Sequence, residues 1–178
     1  IATGAAPGML DELVRGELDL VIAPRPRALH PPGLHERVMY VNKPQIYCRQ
    51  GHTLQSATSL RQIARAQWVV AGQAGTPGNV VEEAFRVRRW APPTIAVQSA
   101  DYAMLAQIVA DSDLLGVISH PRLLVEPKSL GLAQIRVEEG LPHYEVCLFW
   151  PQRSPRHAVA VARLVAALSG CASRDAGG

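Results

Sequence analysis

The chain has 178 residues and a formal net charge of +3; 48% of its residues are hydrophobic and 19% are charged. This composition excludes a disordered chain, and no apolar run reaches the ~20 residues of a membrane-spanning helix. The basic residues are mostly arginines dispersed along the chain, which argues against direct DNA or RNA binding by these residues. Three scattered cysteines predict reduced, packed thiols and therefore a cytoplasmic protein with no disulfide framework.

The first part of the sequence predicts a helix followed by a strand. Apolar residues recur at helical spacing over 7–16, and Gly16 stands where a helix ends in the left-handed conformation. The next apolar run, 18–23, has the length of a strand and is cut off by Pro24. Because this run is apolar on both faces, it predicts a strand in a parallel sheet that helices cover.

Strands and helices then alternate along the rest of the chain. Further strands are expected over 37–41, 45–48, 68–71, 94–98, 114–119, 133–137 and 145–150. Helices are expected from Ser59, where Ser59-x-x-Gln62 has capping-box spacing, over 80–88, over 100–110 with Ser99 as N-cap, and over 157–168. The last helix is apolar apart from Arg163, so we expect it to be well buried.

This alternation predicts an α/β fold with parallel sheets, and two sheets fit it better than one. We expect a first lobe of residues 1–47 and 141–170, a second lobe of residues 48–140, and a polar tail of residues 171–178. Extended stretches near 46–50 and 137–144 would carry the chain across and back and leave a cleft. The chain starts at Ile1 without an initiator Met or a signal segment, so we expect it to be a piece of a longer protein.

The junctions between strands and helices carry the candidate binding residues. In parallel α/β sheets ligands bind beyond the carboxyl ends of strands, where helix N-termini attract anions. The alternative is that Thr76 and Ser99 only cap their helices, and that Arg25 is a solvated loop arginine instead of a bidentate partner of a carboxylate. The candidate ligand-binding residues are Gly4, Ala5, Pro24, Arg25, Gly75, Thr76, Pro77, Ser99, Ala100 and Ser119.

No arrangement of residues indicates catalysis. Ser119 and His120 are neighbours on an extended chain and therefore point in opposite directions, which makes them a poor nucleophile–base pair. The glycines of 72–78 do not have the spacing of a dinucleotide-binding loop, and no histidine or cysteine pattern predicts a metal site. We therefore expect a protein that is not an enzyme and that holds no cofactor and no metal.

Several loose motifs form an ordered set along the chain. They are Gly16-Glu17-Leu18-Asp19-Leu20-Val21-Ile22, Tyr47-Cys48-Arg49-Gln50-Gly51-His52-Thr53-Leu54, Ser59-Leu60, Trp68-Val69-Val70 and Val109-Ala110-Asp111-Ser112-Asp113-Leu114-Leu115-Gly116-Val117. This set, which covers about residues 1–169, resembles the effector-binding domain of the LysR-type transcriptional regulators.

The resemblance implies a fold like that of type 2 periplasmic binding proteins, with two Rossmann-like lobes, two crossover strands and an effector cleft, here without the family's first strand and helix. It implies that the domain senses a small molecule, often a carboxylate, and passes its state to an N-terminal winged helix-turn-helix. DNA would be contacted only through that absent domain, and the subunits would form a homodimer or a homotetramer. A solute-binding protein of a transport system on the same fold is the alternative.

Overall fold

The computed structural model describes residues 6–26, 32–73, 76–99, 101–118, 127–152 and 158–175. The helices in these ranges are α1 (Ala6–Arg15), α2 (Val80–Val87), α3 (Tyr102–Ala110) and α4 (Ala158–Asp175), and two short 3-10 helices cover Pro77–Asn79 and Pro127–Leu130. The strands are β1 (Val21–Pro24), β2 (Leu34–Asn42), β3 (Gln45–Arg49), β4 (Gln67–Val70), β5 (Thr94–Gln98), β6 (Leu115–Ile118), β7 (Leu132–Ile135) and β8 (Tyr144–Pro151).

The chain divides into two compact units, and the second is inserted into the first. Unit 1 contains Ile1–Asn42 and Tyr144–Gly178, and unit 2 contains Lys43–His143. The chain therefore leaves unit 1 at the end of β2 and returns at the start of β8, where Asn42 and Tyr144 lie opposite each other in the ladder. The buried Asn42 amide donates a hydrogen bond of 2.6 Å to the Tyr144 hydroxyl, so both crossing points of unit 1 are held together.

Unit 1 contains an antiparallel sheet in which β8 lies between β1 and β2. The inner face of α1 supplies Leu10 and Leu13 to a core shared with β1 and β8. As predicted, α1 ends at Gly16, which has a φ of 75°. The amide of Gly16 donates to the carbonyl of Leu13, and the amide of Glu17 donates to that of Glu12, which satisfies two carbonyls of the last turn of the helix.

The prediction that the first strand lies in a parallel sheet is wrong for the described part of the chain. There β1 pairs with β8 in the antiparallel sense. Its side chains alternate between buried and exposed, and Ile22 is 45% exposed. The strand begins at Val21, so the apolar run that starts at Leu18 gives an overestimate of its length. A continuous run of apolar residues therefore does not reveal that alternate side chains of this strand are buried and exposed, as in a strand covered on one face only.

The structure also corrects two expectations for the end of the chain. Helix α4 continues to Asp175, so residues 171–175 of the predicted tail are helical. The described side chains of the helix, up to residue 167, are not all well buried: Val161 and Val165 pack against Leu148 of β8, while Val159 is 70% exposed and Leu164 is 48% exposed. A helix that packs on one side of a sheet buries only the stripe of residues that faces the sheet, so apolar residues on its other faces stay exposed. None of the helices in the described ranges is both long and apolar enough to cross a membrane.

Unit 2 contains a mixed five-stranded sheet with the order β5-β4-β6-β3-β7. Strand β4 is parallel to β5 and β6, whereas β3 is antiparallel to β6 and β7. The core between α3 and this sheet contains Leu105, Val109 and Ile118. Helix α3 approaches β6 closely at Gly116, where an added Cβ would lie 2.4 Å from a Val109 methyl group.

The helix that was predicted to begin at Ser59 is a series of tight turns. The amide of Gln62 donates to the carbonyl of Ser59, and that of Ala66 donates to Ile63, which is turn-type bonding over three residues. The Gln62 side chain accepts from the Ser59 amide, so one half of the predicted capping box is present. Leu60 and Ile63 are fully buried as expected, so the apolar spacing correctly predicted which residues face inward.

Candidate functional site

Three parallel strands end at the same edge of the unit 2 sheet. Strand β4 pairs with β5 on one side and with β6 on the other, so their carboxyl ends point the same way. The segments that follow are tied to β4, because the amide of Ser99 donates to Val70 and that of Ala71 donates to Gly78. We call this edge the strand-end site; its described candidate residues are Thr76, Pro77 and Ser99.

The loop after β4 folds back on itself at two glycines. A Cβ at Gly78 would lie 2.7 Å from the amide nitrogen of Gly72, and a Cβ at Gly72 would lie 2.3 Å from the Thr76 hydroxyl oxygen. These distances are shorter than any normal van der Waals contact, so the two backbone segments can approach each other only because both residues lack a side chain. The glycines thereby fix the position of Thr76 at the edge of the sheet.

The Thr76 hydroxyl does not cap the helix that follows it. Thr76 precedes the 3-10 helix that begins at Pro77, but its side chain makes no capping hydrogen bond and donates to the carbonyl of Gln73 over 2.7 Å. The cap of α2 is instead the Asn79 side chain, which accepts from the amide of Glu82. The alternative that Thr76 serves only as a cap is therefore wrong.

Ser99 is also not the N-cap of α3. The helix begins at Tyr102, and its N-cap is Asp101, whose carboxylate accepts from the amides of Ala103 and Met104. The Ser99 hydroxyl accepts from the amide of Asp101 over 3.2 Å and donates to its carbonyl. Asp and Ser are equally good N-caps, so the sequence Ser99-Ala100-Asp101 contains two possible N-caps, and local spacing does not distinguish between them.

The candidate carboxylate partner Arg25 already has two carboxylate partners within unit 1. Its amide extends the ladder beyond Pro24 by donating to Glu145, and its guanidinium donates from Nε to Glu36 over 2.6 Å and from Nη1 to the Glu145 side chain. Arg25 is thus no free loop arginine. Sequence reasoning missed both glutamates, because they lie 11 and 120 residues away and no local pattern connects them to Arg25.

Cys147 completes this cluster from β8. The residue is fully buried, and its thiol donates to the same Glu36 oxygen over 3.3 Å. Burial, followed by the hydrogen bond to Glu36, raises the pKa of the Cys147 thiol to about 12. Burial likewise raises the pKa of the Cys48 thiol in unit 2. Both thiols are packed as predicted, and neither has the lowered pKa of a reactive cysteine.

Five candidates, Gly4, Ala5, Gly75, Ala100 and Ser119, lie outside the described residues, as does His120. The structure therefore brings two candidate hydroxyls, those of Thr76 and Ser99, to the edge of one sheet, and it places Pro24 and Arg25 in unit 1. Within the described ranges, no group of three or more acidic, histidine or cysteine side chains is arranged to hold a metal ion.

Comparison with known proteins identifies the family. Residues 1–171 match the model of the LysR substrate binding domain. The chain belongs to this family. A LysR-domain fold is also found in solved structures that share little sequence with this chain, and each of the following three is described as a regulator or a regulatory domain.

A probable transcriptional regulator from Pseudomonas aeruginosa is 19% identical, with a TM-score of 0.72 over 90% of this chain and 52% of its own. The C-terminal domain of a probable LysR family transcriptional regulator from Rhodococcus sp. RHA1 is 19% identical, with a TM-score of 0.72; the match covers 92% of this chain and 81% of the Rhodococcus domain. The CcmR regulatory domain from Synechocystis PCC6803, in complex with 2-PG, is 15% identical, with a TM-score of 0.75; the match covers 93% of this chain and 79% of the CcmR domain. The chain thus spans about half the length of the Pseudomonas regulator.

Membership of the LysR substrate binding domain family confirms the resemblance seen in the motifs and the α/β fold like that of type 2 periplasmic binding proteins. The fold class is as predicted, but the antiparallel pairing of β3 and β8 corrects the expectation that the sheets are parallel.

Proposed function

We propose that this chain is the effector-sensing regulatory domain of a LysR-type transcriptional regulator, with units 1 and 2 as its two lobes. The observation that carries the proposal is the match of residues 1–171 to the LysR substrate binding domain. The CcmR regulatory domain, which has the same fold, was solved in complex with the small molecule 2-PG. A small-molecule effector for this chain is consistent with that relative.

We place the effector at the strand-end site of unit 2. Ligands of open α/β sheets bind beyond the carboxyl ends of parallel strands, and β4, β5 and β6 end together there. Thr76 and Ser99 are both half-buried residues at this edge, and neither side chain caps a helix. Ser119 and Gly75 belong to the proposal through their sequence positions next to β6 and Thr76.

Effector binding regulates by shifting the populations of two conformations of the domain, which requires a different affinity for each. In the whole protein the shift would reach a winged helix-turn-helix that precedes this domain and alone contacts DNA. We propose a homodimer or homotetramer that acts in the cytoplasm without a membrane partner. We propose that the domain binds its effector without performing a reaction on it.

The test uses the full-length regulator in a thermal-shift screen against a library of small metabolites. A compound that raises the melting temperature should also change the affinity of the protein for its promoter DNA. Thr76→Val and Ser99→Ala should each weaken the response, whereas Thr53→Val, which removes an exposed hydroxyl elsewhere in unit 2, should leave it unchanged. A protein that no compound stabilises, or whose DNA binding ignores every stabilising compound, would contradict the proposal.

A further inference from the structure

We propose that Asn42 and Tyr144 form a clamp that confines bending of the domain to two short links, an outgoing link of residues 43–44 and a return link of residues 142–143. The proposal rests on the proposed function, because it locates in the chain the change between two conformations that effector binding biases. Three observations support it: the contacts of the clamp, the length of the links, and the prolines within them.

The first observation concerns the point where both chain segments leave unit 1. Asn42 and Tyr144 are the terminal pair of the β2–β8 ladder, and Asn42 is only 6% exposed. Its side-chain amide donates to the Tyr144 hydroxyl over 2.6 Å. On the other side of β8 the Arg25 amide donates to the carbonyl of Glu145, and the Arg25 guanidinium binds the Glu145 carboxylate. The start of β8 is thus bonded to both neighbouring strands, so we expect unit 1 to stay rigid up to its boundary.

The second observation is that both links are short. On the outgoing side β3 begins at Gln45, which is already paired with β6. On the return side Leu141 is buried, and the segment before it is tied to unit 2 because the Glu138 amide donates to the carbonyl of Thr58. Neither link belongs to a helix or a strand. Each link therefore has two residues in which the backbone direction can change.

The third observation is that a proline in each link ends the pairing of the two segments. The β2–β8 register finishes with Asn42 opposite Tyr144. Two residues further along, the same register would place Pro44 opposite Pro142. Proline has no amide hydrogen, so neither residue can donate a ladder hydrogen bond to the other. The paired strands therefore stop at the clamp and do not extend into the links.

The prolines also determine which link bends more easily. A proline ring fixes its own φ and restricts the residue before it to extended conformations. In the outgoing link this restriction applies to Lys43, which precedes Pro44. In the return link the proline comes first, so His143 is under neither restriction, and its side chain is exposed. We therefore expect the main bend at His143.

The experiment measures distances between the two units in the full-length regulator by double electron–electron resonance. Val14→Cys in unit 1 and Ser56→Cys in unit 2 place nitroxide labels at exposed positions. Cys171→Ser removes a further cysteine, and Cys48 and Cys147 are buried and should not react with the label. Dilution with unlabelled protein leaves only the distances within one chain. Hydrogen exchange followed by mass spectrometry reports on the clamp itself.

The clamp is tested by removing either of its partners. Tyr144→Phe should broaden the distance distribution and raise the exchange rate of the amides next to the clamp roughly five-fold. Asn42→Ala should have the same effects, and combining the two substitutions should add little to either. Tyr47→Phe is the matched control, because it removes a buried tyrosine hydroxyl that donates to the Gln45 side chain over 3.0 Å within unit 2. The control should leave the distances unchanged.

The position of the bend is tested with two glycine variants. His143→Gly should broaden the distance distribution more than Lys43→Gly, because Pro44 still restricts residue 43 in the second variant. An equal or larger effect of Lys43→Gly would overturn the assignment of the bend to His143. Unchanged distances in Tyr144→Phe and Asn42→Ala would overturn the clamp.

These measurements use no effector, so their failure is distinct from that of the proposed function. If the clamp variants broaden the distances while no metabolite in the thermal-shift screen stabilises the regulator, the clamp is supported and the proposed function is refuted. If a metabolite stabilises the regulator while the clamp variants leave the distances unchanged, the proposed function is supported and the clamp is refuted.

Discussion

Replacing Gly78 by alanine should destabilise unit 2 by about 2–3 kcal/mol, in the upper half of the range for overpacked sites. The new Cβ would lie 2.7 Å from the amide nitrogen of Gly72, 2.9 Å from its Cα and 3.0 Å from the carbonyl carbon of Ala71. All three neighbours are backbone atoms, so no side-chain rotation can relieve the contact. The loop itself must move by several tenths of an ångström, and the hydrogen bond from Ala71 to the Gly78 carbonyl must stretch.

Urea denaturation followed by tryptophan fluorescence measures the effect. With a slope of about 2 kcal/mol/M, the midpoint should fall by about 1–1.5 M. Gly8→Ala is the control: a Cβ there meets nothing within 4 Å, and alanine favours the helix by up to about 1 kcal/mol. A Gly78→Ala protein within 0.5 kcal/mol of the wild type would refute the reasoning.

A second arm of the same experiment uses Gly72, whose added Cβ would first meet the Thr76 hydroxyl oxygen, at 2.3 Å. Gly72→Ala should cost less in a Thr76→Ala background than alone, with a coupling energy of at least about 0.5 kcal/mol. If the destabilisations caused by Gly72→Ala and Thr76→Ala simply add, Gly72 and the Thr76 hydroxyl are not in close contact.

Three further outcomes are expected. Arg89→Gly should stabilise the protein by about 1 kcal/mol in urea denaturation, because Arg89, the residue after the C-cap of α2, has a φ of 56°. Arg88→Gly, at a φ of −91°, should give no such gain. His52→Ala should cost about 1–3 kcal/mol in the same assay, because the buried ring accepts from the amide of Leu54 and contacts the carbonyl of Asp113; no loss of stability would contradict this. Burial raises the pKa of the Cys147 thiol from about 9 to about 12, so below about pH 9 the thiol is protonated in both the folded and the unfolded protein. Between about pH 9 and pH 12 the thiol ionises only in the unfolded chain, and the free energy of unfolding should therefore fall as the pH rises. The urea midpoint should fall less steeply over this pH range for Cys147→Ala than for the wild type. Equal slopes would contradict the raised pKa of Cys147.

Elements with a strong local signal were predictable from sequence. The strand expected over 94–98 has those bounds in the structure, and Gly16 ends α1 through the left-handed conformation that only glycine adopts at low cost. The burial of Leu60 and Ile63 also followed from spacing, although their backbone forms turns instead of a helix. Spacing reports which side chains face the core, and it is less sensitive to the type of backbone bonding that presents them.

The partners of polar side chains were not predictable in the same way. The sequence suggested Ser99 as a cap, but Asp101 is two residues closer to the first free amides of α3. The glutamates that bind Arg25 come from β2 and β8, and only the register of an antiparallel sheet brings them together. The sequence identifies Arg25 as a possible carboxylate-binding residue, but only the folded chain shows that carboxylates from distant strands already bind it.

The central strand of unit 1 has a consequence for biosynthesis. Strand β8 joins β1 to β2, yet it is encoded after the whole of unit 2. During translation β1 and β2 must wait for about a hundred intervening residues, whereas unit 2 is contiguous and can fold as soon as it emerges from the ribosome. A nascent chain that stalls before Tyr144 therefore carries a complete inserted unit next to two strands that lack their shared partner, and this intermediate is the one most in need of a chaperone.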